Sequence, residues 1–185
     1  MKKKPAAFLD RDGVVNYDYG YVYKYKDFKL RPGVIKGLKL LTKNDYRIFI
    51  ITNQSGIARG FFKVKDVELL HKLIIKDFKK KKITLNEIEY SPFHIKGVIK
   101  KYKKNSKTRK PGNLMVKKLL KKWNTDLKRS FMIGDRKKDI EAGQKANCKT
   151  IYIQRKYTEK PPKNFDFIFN TLYNASNFII NHKDV

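Results

Sequence analysis

The chain has 185 residues, of which 41% are hydrophobic, and it carries a formal net charge of +28. That length and apolar fraction suit one well-packed core, so we expect residues 1–185 to form a single domain. No apolar run approaches the ~20 residues that a membrane-spanning helix needs, so we expect no contact with a membrane. The charged residues 1–5 lead into a short strand rather than a signal-peptide core, and we therefore expect a cytoplasmic protein.

The positive charge first suggests a nucleic-acid partner, because clustered basic side chains neutralise phosphates and release counterions. Arginine, the better residue for bidentate recognition, supplies only 8 of the 45 basic residues, and the charge is spread along the chain. We interpret the lysines as a solvated surface whose field attracts anionic substrates, and we expect no specific nucleic acid. The single cysteine, Cys148, excludes an internal disulfide and is expected to be buried.

Short apolar runs alternate with segments of helical periodicity along the chain. Strands are predicted over residues 5–9, 47–52, 83–90, 131–133, 150–153 and 165–169. Helices are predicted over residues 33–43, 66–81, 113–123, 138–146 and 172–180. This alternation is typical of an α/β protein with a mostly parallel sheet and helices on both faces.

The first strand ends in two acids, Asp10 and Asp12, one residue apart. Ligands of open α/β sheets bind beyond the carboxyl ends of the strands, where both acids would lie. Gly13 allows the sharp turn that brings both carboxylates towards one metal ion. One carboxylate can attack phosphorus and form an aspartyl-phosphate while the other handles protons. Calcium loops and polar surface turns also contain this pattern, and these residues alone support both interpretations equally.

Three further segments place polar residues at the same predicted edge. Thr52, Asn53 and Gln54 follow the second strand, and another acid follows the strand at 131–133. Arg109 and Lys110 precede a helix and so bring two cations together with a helix N-terminus. Acid, hydroxyl, lysine and acid in this order predict a site for a metal ion, a phosphoryl group and a nucleophile.

These four segments resemble the four motifs of the haloacid dehalogenase (HAD) superfamily of phosphohydrolases, which implies a Rossmann-like fold. Residues 8–16, 20–22 and 52–60 are further similar to the D-glycero-D-manno-heptose 1,7-bisphosphate phosphatases. The related histidinol-phosphate phosphatases share the Asp-Arg-Asp-Gly and Thr-Asn-Gln segments. The Gly-Tyr-Val loop and the Ser-Gly-Ile-Ala-Arg-Gly extension favour the heptose branch.

The resemblance implies a role for each acid. Asp10 is expected to be the nucleophile, and Asp12 the acid that protonates the leaving oxygen and then activates water. Mg²⁺ is expected on Asp10, on the main-chain carbonyl of Asp12 and on Asp135. Asp139, one helical turn further on, is expected to support that site.

The resemblance also implies which groups receive the substrate. Thr52, Asn53 and Lys110 are expected to neutralise the phosphoryl oxygens during transfer. Arg109 and Arg136 are candidates for a second phosphate, and a plain solvated cation is the alternative for both. The residues expected to bind substrate are Asn53, Gln54, Arg59, Arg109 and Arg136.

One departure from the family concerns zinc. Members usually carry a zinc loop before Arg-Lys-Pro, in which Cys-x-His is followed further along by Cys-x-Cys. Here the four positions read Ser91, Phe93, Ser106 and Thr108. Structural zinc needs thiolate or imidazole, so we predict no zinc. We expect the loop to be ordered by packing of Phe93, Ile95 and Val98, or else to be mobile.

The sequence therefore predicts a monomeric Mg²⁺-dependent phosphatase with an open active site and without a large cap domain. Its expected substrate is a small sugar phosphate, above all D-glycero-D-manno-heptose 1,7-bisphosphate. Tyr17, Tyr19, Tyr21 and Tyr23 are expected either to pack on a sugar or to cover the sheet edge. Two alternatives remain: a phosphatase of histidinol phosphate or another small ester, and a basic nucleic-acid-binding protein on a HAD fold.

Overall fold

The computed structural model describes residues 3–157 and 160–182, in which strands and helices alternate. The strands are β1 (Ala6–Leu9), β2 (Arg47–Asn53), β3 (Leu85–Ser91), β4 (Phe131–Gly134), β5 (Lys149–Ile153) and β6 (Phe167–Phe169). The helices are α1 (Val34–Lys43), α2 (Val64–Lys80), α3 (Leu114–Lys122), α4 (Lys137–Gln144) and α5 (Leu172–Asn181).

The six strands form one parallel sheet in the order β3-β2-β1-β4-β5-β6. The strand order reverses at β1, which pairs with β2 on one side and with β4 on the other. Such a switch point opens a crevice at the carboxyl ends of the strands, where ligands of α/β sheets bind. The predicted fold class, a Rossmann-like α/β fold, is confirmed.

The two faces of the sheet are covered by separate apolar clusters. Along β1, Ala7 and Leu9 enter the cluster that includes side chains of α1 and α5, whereas Ala6 and Phe8 enter the cluster beside α3. A strand covered on both faces has no solvent side, which explains why β1 is apolar throughout. Each large apolar side chain buried in this way stabilises the fold by about 1.5–3 kcal/mol.

The predicted elements are all present, with bounds that differ by a few residues at the ends. Helix α2 begins at Val64, earlier than predicted, because the side chain of Asp66 accepts a hydrogen bond from the backbone N–H of Lys63 at 2.7 Å. Cys148 is buried after α4, as predicted. In the described part of the chain, no helix combines the length and hydropathy needed to cross a bilayer. The single-domain organisation stays a prediction.

Candidate active site

Polar side chains gather beyond the carboxyl ends of β1, β2 and β4. Asp10 follows β1 and is 5% exposed, and its backbone N–H donates to the carbonyl of Ile133 on β4 at 2.9 Å. A pocket of about 240 Å³ opens at this edge. Its lining comprises Asp10, Asp12, Asp18, Gly20, Tyr21, Thr52, Asn53, Gln54, Ser55, Arg136 and Lys138.

Three buried carboxylates cluster at this edge of the sheet. Asp10, Asp135 and Asp139 each offer an oxygen, and these oxygens lie within 4.8 Å of one another. Burial, together with the charges of Asp10 and Asp139, raises the pKa of Asp135 well above its usual range. Oδ1 of Asp135 is buried and has no hydrogen-bond partner among the described residues. Hard carboxylate oxygens, an excess of negative charge and an unpartnered ligand atom all fit a divalent cation such as Mg²⁺.

The turn after β1 brings the backbone against this cluster. Gly13 has a φ of +104°, in the left-handed region that favours glycine. A Cβ atom at this position would lie 1.9 Å from Oδ2 of Asp135. Glycine is therefore required here for both its conformation and its lack of a side chain.

Lys110 is buried beside the three acids. Its Nζ contacts Oδ1 of Asp10 at 2.7 Å, Oδ1 of Asp139 at 2.8 Å and the carbonyl of Ile51 at 2.9 Å. Burial alone would lower the pKa of Lys110, but the carboxylates of Asp10 and Asp139 together raise it above its usual value. The ammonium thus donates to Asp10 and to the Ile51 carbonyl, pairs by charge with the Asp139 carboxylate, and holds the orientation of Asp10.

The segment that carries Lys110 is tied to the end of β2 by a reciprocal pair of hydrogen bonds. The Asn53 side chain donates to the carbonyl of Lys110 and accepts from its backbone N–H, both at 3.0 Å. Asn53 therefore anchors this loop while it also lines the pocket. Thr52 is buried, and its hydroxyl accepts from the side chain of Gln54 at 2.9 Å.

Asp12 is held by side chains from three directions. Arg11 donates to its carboxylate through Nε at 3.2 Å and through Nη2 at 3.0 and 3.1 Å. Gln54 donates to Oδ2 at 3.0 Å, and Asn16 donates to Oδ1 at 2.9 Å. The structure thus brings Asp12 and Gln54 together, and it adds Arg11 as a fully buried cationic partner.

The predicted arginines divide into two positions. Arg136 lines the pocket, donates to Asp18 at 3.2 Å and stacks at 4.2 Å on the ring of Tyr157. Arg59 and Arg109 lie further out. Nη2 of Arg59 is 3.4 Å from Nε2 of His94, and Nη1 of Arg109 donates to the carbonyl of Phe93 at 3.3 Å.

Comparison with known proteins places the chain in a family. A HAD-hydrolase-like family model matches residues 107–175. A D-glycero-alpha-D-manno-heptose-1,7-bisphosphate 7-phosphatase of Campylobacter jejuni is 37% identical over 185 residues, which cover 100% of both chains. A D-glycero-beta-D-manno-heptose-1,7-bisphosphate 7-phosphatase of Rhodopseudomonas palustris is 40% identical over 144 residues, 78% of this chain and 80% of that one.

The chain belongs to the heptose-bisphosphate phosphatase family of the HAD superfamily. It is a phosphatase, as the sequence predicted. The fold also matches the crystal structure of D,D-heptose 1.7-bisphosphate phosphatase from B. bronchiseptica complexed with magnesium and phosphate. The TM-score is 0.84 at 23% identity, and the match covers 96% of this chain and 99% of that chain.

In this HAD phosphatase, hydroxyl groups occupy the positions of three zinc ligands. The Thr108 hydroxyl lies 3.0 Å from that of Ser91 and 2.9 Å from that of Ser106. The backbone N–H of Thr108 also donates to the Ser106 hydroxyl at 3.3 Å. These groups do not fit zinc, and they join the two ends of the loop directly.

The predicted packing of the loop is partly wrong. Phe93 does contact the ring of Tyr102, with centroids 6.1 Å apart. Ile95 and Val98, however, are 59% and 74% exposed and do not order the loop by burial. The loop is held instead by backbone bonds, because the N–H of Val98 donates to the carbonyl of Ala58 at 2.8 Å.

We expect this phosphatase to be stable without zinc. Purified protein should contain far less than one zinc per chain by elemental analysis, and a zinc-selective chelator in the presence of excess Mg²⁺ should leave its melting temperature unchanged. Thr108→Val, which removes the shared hydroxyl, should cost about 1–2 kcal/mol, or roughly 2–8 °C in melting temperature. Stoichiometric zinc whose removal unfolds the protein would contradict this prediction.

The tyrosines of the loop between β1 and α1 do not act as one surface. Tyr21 lines the pocket and packs edge-on against Phe61, with ring centroids 4.7 Å apart. Tyr23 stacks on Phe62, whereas Tyr19 is 64% exposed. Tyr21 is therefore the one of these four tyrosines that lines this pocket, and Tyr23 serves the packing of the loop.

Sequence reasoning missed three residues around the acids. Arg11 lies inside the Asp-Arg-Asp-Gly motif, in which the pattern of the two acids carries the chemical signal and the arginine carries none. Tyr157 donates a hydrogen bond to Oδ2 of Asp135 from an irregular segment with no motif. His71 had a usable signal, because it lies on the apolar face of α2 between Val67 and Ile74.

Proposed function

We propose that this phosphatase removes one phosphate from D-glycero-D-manno-heptose 1,7-bisphosphate through an aspartyl-phosphate on Asp10. The observation that carries the proposal is the buried carboxylate of Asp10, held by Lys110 at the carboxyl end of β1 and open to a polar pocket. Full-length relatives named for this reaction support the choice of substrate. Relatives are named for both the alpha and the beta anomer, so the substrate assignment covers both.

In the first step, a carboxylate oxygen of Asp10 attacks phosphorus and forms a P–O bond, and the bond from phosphorus to the sugar oxygen breaks. Asp12 donates a proton to that leaving oxygen. In the second step, Asp12 takes a proton from water, which attacks the phosphorus and releases Asp10. Mg²⁺ held by Asp10, Asp135 and the carbonyl of Asp12 would neutralise charge on the phosphoryl oxygens.

The remaining residues receive the phosphoryl group. The hydroxyl of Thr52 accepts from Gln54, which leaves its own proton available to a phosphoryl oxygen. Lys110 acts chiefly through its charge beside the nucleophile. Asp139 keeps that ammonium in place, which is its supporting role in this proposal.

Arg59 and Arg109 are our candidates for the second phosphate. Burial, followed by the charge of Arg59, lowers the pKa of Arg109, so the two cations face each other without full compensation. Nε of Arg59 is buried with no hydrogen-bond partner among the described residues. Their nearest partners are a histidine ring and a backbone carbonyl, whereas Arg136 is already paired with Asp18. A phosphate dianion would relieve this repulsion.

The substrate proposal is tested by phosphate release from a panel of esters. We expect the highest kcat/KM on a heptose 1,7-bisphosphate anomer, with lower values on heptose 7-phosphate and on histidinol phosphate. A preference for histidinol phosphate would favour the alternative substrate. No release from any ester, together with tight and salt-resistant binding of a defined nucleic acid, would favour the non-enzyme alternative.

Arg109→Gln tests whether Arg109 binds the second phosphate of the substrate and not the phosphate that is removed. We expect KM for the bisphosphate to rise about 10- to 100-fold, because a charge-assisted contact of about 1.5–3 kcal/mol is lost. KM for a monophosphate that lacks the second group should barely change. Arg129→Gln, at a half-buried ion pair with Asp126 outside the pocket lining, is the matched control, and its KM values should match those of the wild type. Equal losses on both substrates would contradict the assignment.

A further inference from the structure

His71 of α2 is a buried histidine in direct contact with the Asp12 network. It is 6% exposed, and its Nε2 lies 3.1 Å from Nη1 of Arg11. A guanidinium has no acceptor atom, so Arg11 donates and Nε2 accepts. His71 is therefore neutral and carries its hydrogen on Nδ1. Burial and the charge of Arg11 lower its pKa to about 3, which agrees with this assignment.

Arg11 is fixed on every side that carries a donor. Its Nε and Nη2 face Asp12, its Nη2 also donates to the carbonyl of Val22 at 2.5 Å, and its Nη1 faces His71. The side chain is fully buried, so no solvent can replace a lost partner. The hydrogen bond to His71 holds the one guanidinium nitrogen that Asp12 and Val22 do not contact, and it thus completes the fixation of the guanidinium plane.

The neutral charge of His71 matters as much as its position. In the described part of the chain, the ion-pair partner of Arg11 is Asp12. A carboxylate in place of His71 would compete for the same cation and weaken the hold on Asp12. A neutral acceptor completes the hydrogen bonding of Arg11 and leaves its charge for Asp12.

We propose that His71 is a positioning residue that orients the general acid Asp12 through Arg11. This inference rests on the proposed function, in which Asp12 protonates the leaving oxygen. His71 does not reach the reacting atoms itself. Its effect passes through two hydrogen-bonded contacts, from Nε2 to the guanidinium and from the guanidinium to the Asp12 carboxylate.

The test compares two leaving groups in kcat/KM, which reports the steps up to departure of the leaving group. A sugar alkoxide needs a proton from Asp12, whereas p-nitrophenolate leaves readily without one. For His71→Leu we expect a loss of about 10- to 100-fold on glycerol 2-phosphate and less than about 3-fold on p-nitrophenyl phosphate. His71→Gln, which restores a neutral acceptor, should recover glycerol 2-phosphate activity to within about 3-fold of wild type.

Ile74→Val is the matched control, because Ile74 is buried on the same helix and lies in the hydrophobic core. It should leave the ratio of the two kcat/KM values unchanged. If His71→Leu does not fold, His71→Glu keeps an acceptor but adds a second anion, and it should show the same selective loss. Equal losses on both esters, or no rescue by a folded His71→Gln, would overturn the inference. Wild-type protein that is inactive on every ester would instead overturn the proposed function.

Discussion

Asp10→Asn is expected to abolish phosphate release while the fold survives. The amide keeps the shape of the side chain but removes the attacking charge, so no aspartyl-phosphate can form. We expect kcat to fall by at least about a thousandfold, since the covalent route is lost altogether. Stability should be retained, because Lys110 keeps its contact with Asp139 and one repulsive charge leaves the cluster.

The measurement is steady-state phosphate release at saturating substrate and Mg²⁺, with the melting temperature recorded for each variant. Asp45→Asn is the matched control, because Asp45 forms an exposed ion pair with Lys4 away from the site. It should retain full activity. Substantial turnover by a folded Asp10→Asn protein would show that another group attacks phosphorus.

The position of the site could be predicted from the sequence because β1, β2 and β4 are largely apolar and buried. An uninterrupted apolar run ends visibly where the first polar residue appears, as at Asp10 after β1 and Thr52 in β2. Parallel order then brings these ends together, whatever the details of the helices. Asp135 followed from the same reasoning at the end of β4.

The connections between these residues could not be predicted in the same way. Asn53 pairs with the backbone of Lys110, whose ammonium contacts Asp10, and both contacts join residues far apart in sequence. Ile95 is exposed although it is apolar, because its loop is held by backbone hydrogen bonds. The residue type alone therefore does not predict burial. The role of His71 depends on the orientation of Arg11, which no sequence pattern reveals.

Lys110→Met is expected to affect stability and activity together. The thioether fills nearly the same volume, but the buried Asp139 and Asp10 lose their cation. Breaking a buried ion pair by removing one partner typically costs 3–5 kcal/mol, so a fall of roughly 6–20 °C in melting temperature is expected at pH 8. Activity should drop at least about a hundredfold, because phosphoryl charge is no longer offset.

The stability lost in Lys110→Met should depend on pH, and the pKa values of the buried acids determine the direction of that dependence. Burial and the neighbouring acids already raise the pKa of Asp135 and of Asp139, and loss of the ammonium should raise both further. Carboxyls whose folded-state pKa lies above the unfolded value are tolerated while protonated and become costly as pH rises through that folded pKa. The stability gap between Lys110→Met and wild type should therefore widen from pH 5 to pH 8.

Thermal unfolding across that pH range, with and without Mg²⁺, checks the prediction. Lys118→Met is the matched control, because Lys118 pairs with Glu89 at the surface with 60% of its side chain exposed. Exposed pairs contribute about 0–1 kcal/mol, so this variant should follow wild type at every pH. Mg²⁺ should restore part of the stability of Lys110→Met, since a cation beside Asp10 and Asp135 replaces some of the lost positive charge. A stability gap that narrows with rising pH, or one that Lys118→Met reproduces, would show that the buried acids do not depend on Lys110 for their charge balance.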